Sequence, residues 1–265
     1  MKKFILALSF IAVCSFGAHA QFGSKIKTGK LTDAATKAAK SFTISDAEIN
    51  EYCNEYIQWM DTHNPLCKTD DKSAGRKACA QRLAGIVSNV PSNYVQQYNL
   101  DIQPYYVIDV NAFACANGSI RVFAALMDEM TDDQVLGVIC HEIGHVVNKD
   151  SKDAFVTALR VSALKDAAGS VSGSTAAKLT DSQLGDLAES MSNAQFSQKQ
   201  ESAADAFGFE LLKQMGKDPS NMASALGVLL KLQEEAGSAE QSKYQKLFSS
   251  HPDLKKRIEN LNKKK

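Results

Sequence analysis

The 265-residue sequence has no excess of either charge: Lys and Arg total 30, Asp and Glu total 30, and the formal net charge is zero. Its one basic block, Lys263-Lys264-Lys265, reads as a solvated tail. Phosphate recognition needs a concentrated cationic face, so nucleic acid is excluded as the main partner. No C-x-x-C spacing occurs, which removes a cysteine zinc site from consideration. Internal repeats are absent too, and with them a solenoid. The apolar run from Phe4 to Val13 is too short to anchor the chain across a bilayer.

That run has another reading. Lys2 and Lys3 precede it and Gly17-Ala18-His19-Ala20 follows it, the three parts of a cleavable secretory signal over residues 1–20. Cys14 follows Ile11-Ala12-Val13, a degraded lipobox, because bulky Val13 stands where a small residue belongs. The expected product is an exported chain of about 245 residues, enough for one large domain. Hydrophobic residues make up 44% of the sequence, so a substantial core is available. Cys140 lies inside an apolar helix and is expected to stay a buried thiol. In an oxidising compartment up to two disulfides are expected among Cys53, Cys67, Cys79 and Cys115, and spacing leaves all three connectivities open.

Residues 21–44, rich in Lys, Thr, Ala, Ser and Gly, read as a loosely held leader ahead of one domain over 45–265. Ser45 and Glu48 form a capping box, and Ile49, Tyr52, Cys53, Tyr56, Ile57 and Met60 follow at helical spacing. A second helix spans about 73–87 and completes a helical part over 45–95. Tyr105–Val110 and Ser119–Phe123 are β-branched and aromatic, with Asn117-Gly118 as a turn, and read as a small sheet or hairpin. Thr131 and Gln134 cap a helix whose buried face carries Val135, Val138, Ile139, Ile143 and Val146. Residues 150–180 are Ala-, Ser- and Gly-rich, and fit a helical hairpin or a cover. One long helical stretch is expected from Thr180 to Met215, then two more helices after Asp218-Pro219 and His251-Pro252. The class is α+β, mostly helical, with a small central sheet.

On the Thr131-capped helix stands His141-Glu142-Ile143-Gly144-His145. Residues four apart on an α-helix differ by roughly 40° around the axis, so both imidazoles face one ion. Glu142 sits beside that face and reaches a water instead of the metal, the division of labour that gives H-E-x-x-H its form. A catalytic zinc needs a third protein ligand and an open position. Glu201 is the best candidate, in Glu201-Ser-Ala-Ala-Asp205. Asp205 shares its helix face and could accept a hydrogen bond from a ligating imidazole. Ala203, Ala204 and Ala206 keep that helix slim enough to pack closely on the motif helix.

Asn111-Ala-Phe-Ala114, Gly118-Ser-Ile, the His141–His145 motif, Glu201-Ser-Ala-Ala-Asp205 and Ser250-His251-Pro252 together resemble the HtpX/Oma-like family of zinc endopeptidases over about 100–262. Gln183-Leu-Gly-Asp-Leu187 and Asn193-Ala-Gln-Phe-Ser-Gln198 are similar to its soluble periplasmic YggG (LoiP) group. The resemblance implies a zincin-like fold with one zinc per chain, held by His141, His145 and Glu201, with Glu142 as general base. It implies that His251 approaches the metal, to stabilise the oxyanion or to block the open position. It also implies that Asn111, Ala112, Phe113 and Ala114 form the edge strand that pairs with an extended polypeptide substrate. Misfolded or envelope proteins would be the substrates, in the periplasm, with peripheral association at the outer membrane. An envelope chaperone with a gated, seldom active zinc site is the alternative. Related sequences carry a further histidine after the second ligand. Here the stretch is Val146-Val-Asn-Lys-Asp150, which leaves no histidine there to support the site.

Overall fold

A hydroxyl residue three positions ahead of Glu or Gln marks four helix starts in the computed structural model. Ser45 with Glu48, Thr131 with Gln134, Thr180 with Gln183 and Ser197 with Gln200 each close a reciprocal capping box. The structure describes residues 44–165, 178–235 and 241–264, all within one compact unit, Phe42–Lys265. The expected signal, and all of the leader but Ile44, lie outside the described residues.

The helical first part is α1 (Asp46–His63), α2 (Ala74–Val87) and the short α3 (Ser92–Gln97). A three-stranded sheet follows, made of β1 (Asp101–Tyr105), β2 (Ala112–Ala114) and β3 (Ser119–Phe123), in the order β1-β3-β2. β1 lies parallel to β3, and β2 pairs antiparallel with it through a turn at Gly118. Gly118 has φ +89°, and a Cβ there would stand 2.1 Å from the Tyr98 carbonyl oxygen, so only glycine fits. Tyr105–Val110 is not the expected strand. Tyr105 already pairs with Phe123, the last residue of β3, so the residues beyond it have no strand to pair with, and the Tyr106 amide donates instead to the Pro65 carbonyl at 2.8 Å. Ile108 is 76% exposed in the resulting loop.

The remaining elements are helices: α4 (Ala124–Asp128), α5 (Asp132–Val147), α6 (Asp150–Lys165), α7 (Asp181–Ser192), α8 (Gln198–Gln214), α9 (Ser220–Glu235), α10 (Gln241–Ser250) and α11 (Leu254–Asn262). The stretch from Thr180 to Met215 is therefore two helices, because Asn193 ends α7 and the Ser197 box starts α8. Within 150–180 the structure shows α6; residues 166–177 are outside the described set.

Two apolar cores result. The larger joins β3, α2, α4, α5, α8 and α9 through Ile120, Leu83, Leu126, Ile139, Leu211 and Leu226. The smaller joins α1, α6 and α7 through Ile49, Tyr56, Phe155 and Leu187. Arg121 of β3, 1% exposed, links α1 to the sheet: its Nε and Nη2 donate to the Asp61 carboxylate at 2.9 and 3.0 Å. α5 and α8 run in close contact, and a Cβ on Gly144 would stand 2.9 Å from both Cα and O of Ala204. That approach brings the motif helix against the helix carrying Glu201. Cys53, Cys67, Cys79, Cys115 and Cys140 are all buried, each with a free thiol in this structure.

Candidate active site

α5 buries His141, Glu142 and His145 on the side that meets α8, where Glu201 and Asp205 are buried in turn. None of His141, Glu142, His145, Glu201 and His251 is more than 6% exposed. His141 Nε2 lies 3.0 Å from His145 Nε2. Glu201 Oε1 lies 3.3 Å from His145 Nε2, and Oε2 lies 3.7 Å from His141 Nε2. His251, at the end of α10, brings Nδ1 to 3.0 Å from Glu201 Oε1 and Nε2 to 3.8 Å from Glu142 Oε1. One candidate ligand atom from each of His141, His145, Glu201 and His251 lies within 4.8 Å of the others.

The far sides of both rings are held by carboxylates. His141 Nδ1 is 2.9 Å from Asp205 Oδ1, and His145 Nδ1 is 3.0 Å from Asp150 Oδ2. With each Nδ1 donating to a carboxylate, both Nε2 lone pairs point at the same small space. Two lone pairs 3.0 Å apart need a cation between or beside them, a proton or a metal ion. Glu201 Oε2 is buried without a hydrogen-bond donor, its one charged contact among the described residues, besides the His141 ring, being an ion pair with Arg257 Nη1. Two imidazole nitrogens and an under-satisfied carboxylate oxygen are a donor set that suits zinc.

Electrostatics follow from the same contacts. Burial lowers the pKa of His141, with the Arg257 guanidinium and the His145 ring adding to the effect. Burial also works against charge on His145, but the Asp150 and Glu201 carboxylates overcome it and hold its pKa up to about 9. A proton on Nε2 and a metal would compete for one position. Glu201, which burial alone would raise, is driven well below the usual carboxylate range by His251 and His145.

Three residues of this site were not anticipated. Asp150 makes the contact that the missing histidine was expected to leave open. Lys149 adopts a left-handed conformation (φ 65°) between α5 and α6, which turns the chain so that the first residue of α6 faces back onto His145. Arg257 of α11 donates to Asp205 through Nε (2.8 Å) and Nη2 (2.6 Å). In the sequence it sits among lysines, yet it shares a helical face with Leu254 and Leu261, and that spacing was the available signal. Phe196 stacks on His145 at 4.0 Å between ring centroids, and its amide donates to the Ser250 carbonyl beside His251. The structure places Asn111–Ala114 at the sheet edge, with Ala112–Ala114 as β2, which packs on α5.

Comparison with known proteins agrees with this geometry. Residues 76–265 match peptidase family M48. Metalloprotease LoiP of Escherichia coli (strain K12) is 35% identical over 232 residues, covering 87% of this chain and 86% of LoiP. Metalloprotease YcaL of the same organism is 33% identical over 260 residues, covering 98% of this chain and 95% of YcaL. Protease HtpX of Actinobacillus pleuropneumoniae serotype 5b (strain L20) is 32% identical over 200 residues, covering 63% of this chain and 68% of HtpX. The chain therefore belongs to peptidase family M48 and is a zinc-dependent metalloprotease.

Proposed function

We propose that this metalloendopeptidase is exported to the periplasm and cleaves misfolded or envelope proteins there. His141, His145 and Glu201 hold its zinc and Glu142 is the general base. The observation that carries the reading is the convergence of His141 Nε2, His145 Nε2 and Glu201 on one point, with both imidazoles fixed from behind by Asp205 and Asp150. Bound there, zinc supplies Lewis acidity toward a water molecule and a peptide carbonyl.

The chain's own groups do the rest. Glu142 follows His141 in α5 and stands beside the cluster without joining it. Its carboxylate takes a proton from the attacking water and returns it to the departing amine nitrogen. The His251 ring stands between the Glu142 and Glu201 carboxylates, where it can donate to the oxygen that gains charge as the carbonyl becomes tetrahedral. β2, at the open edge of the sheet and packed on α5, pairs with an extended substrate and leads it toward the site. A small apolar cavity of about 30 Å³, lined by Val138, Met222, Leu226, Leu229 and Leu247, adjoins Glu142 and His251.

A casein-cleavage assay with and without chelator tests the reading, alongside Glu142→Gln. Cleavage should vanish in both cases, while the variant keeps about one zinc per chain. Full turnover by Glu142→Gln would remove Glu142 from its role. The nearly complete burial of the cluster, with His251 as its fourth member, favours a second reading: a gated site in a chain that mainly binds unfolded proteins through β2. That reading expects stoichiometric casein binding with little cleavage by the zinc-loaded protein.

A further inference from the structure

The buried cysteines fall into two pairs. The Cys53 side chain of α1 lies beside that of Cys115, the residue that follows β2, and beside the backbone of Ala116 and Asn117. Two residues after Cys115, Asn117 Nδ2 donates at 2.8 Å to Oδ1 of Asn54, one residue after Cys53, a second contact between the same two segments. The Cys67 side chain lies beside that of Cys79 in α2. Their backbones are tied together as well, since Arg76 Nη2, one turn before Cys79, donates to the Leu66 carbonyl at 2.7 Å. Cys53 and Cys115 lie in the smaller apolar core, Cys67 and Cys79 in the larger. Of the three pairings of four cysteines, two would have to cross between cores. Cys140 lies in α5, in the larger core.

We propose that this chain forms two disulfides, Cys53–Cys115 and Cys67–Cys79, and that the first fastens the exit of the substrate-pairing strand β2 to helix α1. Each bond forms by thiol–disulfide exchange with an oxidised dithiol protein or oxidised glutathione. One cysteine thiolate attacks the partner's disulfide, a mixed disulfide results, and the second cysteine displaces the partner. The two thiol protons and two electrons leave with the partner, which becomes a dithiol or two molecules of reduced glutathione. Cys53 and Cys115 are both 0% exposed, so the exchange takes place before the smaller core closes. For the same reason the finished bond is shielded from reductants in the folded chain.

β2 is three residues long and bonded on one side only, to β3. Its exit at Cys115 is held by a backbone bond from the Cys115 amide to the Ser119 carbonyl, 2.8 Å, within its own hairpin. The Cys53–Cys115 bond adds an attachment outside the hairpin, so that an incoming strand meets a fixed edge. The second bond acts similarly on the Leu66–Cys67 segment, whose Cys67 amide donates to the Pro104 carbonyl of β1 at 2.9 Å.

The test begins with the full chain refolded in a glutathione redox buffer, which makes the result independent of where the protein resides. Free thiols are alkylated in denaturant and the product is digested with trypsin plus a glutamate-specific protease, which cuts at Glu55 and so separates Cys53 from Cys67. Mass spectrometry should show Cys53 linked to Cys115, Cys67 linked to Cys79, and Cys140 alkylated. Any other connectivity, or alkylation of Cys53, Cys67, Cys79 and Cys115, would overturn the assignment. For the role in β2, amide exchange at Phe113 and Cys115, the positions that bond to β3, should quicken at least tenfold when Cys53→Ser and Cys115→Ser are combined, while exchange in α9 stays as in the parent. Equal exchange at β2 in both proteins would discard the fastening.

Discussion

Asp150 shows how a single side chain can restore what a motif lacks. Its carboxylate accepts from His145 Nδ1, which leaves Nε2 free to face the proposed zinc and makes that nitrogen a stronger donor. Asp150→Asn should therefore weaken zinc binding by about 10- to 100-fold with little change in fold, as measured by competition with a chromophoric chelator. Unaltered affinity would make the contact incidental. Asp205 supports a pH prediction. Burial alone would raise its carboxyl, but Arg257 and His141 outweigh that and bring it down to about 2. The unfolded chain has an ordinary value near 3.9, so the stabilisation is complete above about pH 4 and is lost as pH falls through 2. Urea midpoints between pH 5 and 2 should fall more steeply for the parent than for Asp205→Asn. Parallel curves would contradict the assignment.

At the scale of elements, the legible part was what periodicity and caps encode. The box at Thr131, the apolar face of α5 and the small residues around Ala204 were all readable, and they are what juxtaposes the motif with Glu201. The break at 193–197 was missed because the capping signal at Ser197 and Gln200 lies within a run of otherwise helix-compatible residues. β1 was misplaced because strand propensity at 105–110 says nothing about whether a partner strand extends that far. Arg257 and Asp150 were hidden for a related reason. Charged residues are normally solvated, and only the fold shows that α11 and the start of α6 turn inward. The α5–α8 contact itself can be probed. Gly144→Val would place a branched side chain where even a Cβ comes within 2.9 Å of Ala204 backbone atoms. Overpacking of this kind costs about 1–3 kcal/mol or more. Thermal unfolding should show that loss, and zinc affinity should drop with it, because the helices must separate. A variant with normal zinc binding would show that the spacing has slack.

For the molecule as a whole, metal and fold should be coupled. The cluster joins α5, α8 and α10, with α6 and α11 bracing it from behind, so an ion bound there joins elements distant in sequence. Chelation should lower the melting temperature as well as abolish activity, and restoring one equivalent of zinc should recover both. The first cleaved peptide bond of the native chain is open to measurement too. If residues 1–20 are a secretory signal, protein recovered from the periplasm begins near Gln21. An N-terminus at Met1 in that fraction would remove the cleaved-signal reading without touching the catalytic one.

The meeting of Gly144 with Ala204 also bears on how such a protein tolerates change over time. The gap between the imidazole helix and the carboxylate helix is gauged by main-chain atoms, which no substitution deletes, rather than by the bulk of interchangeable apolar side chains. Residues elsewhere in the interior can drift, enlarge or shrink while that gauge holds. Ancestral divergence can therefore reshape the surroundings and leave the ion's cradle at the same width.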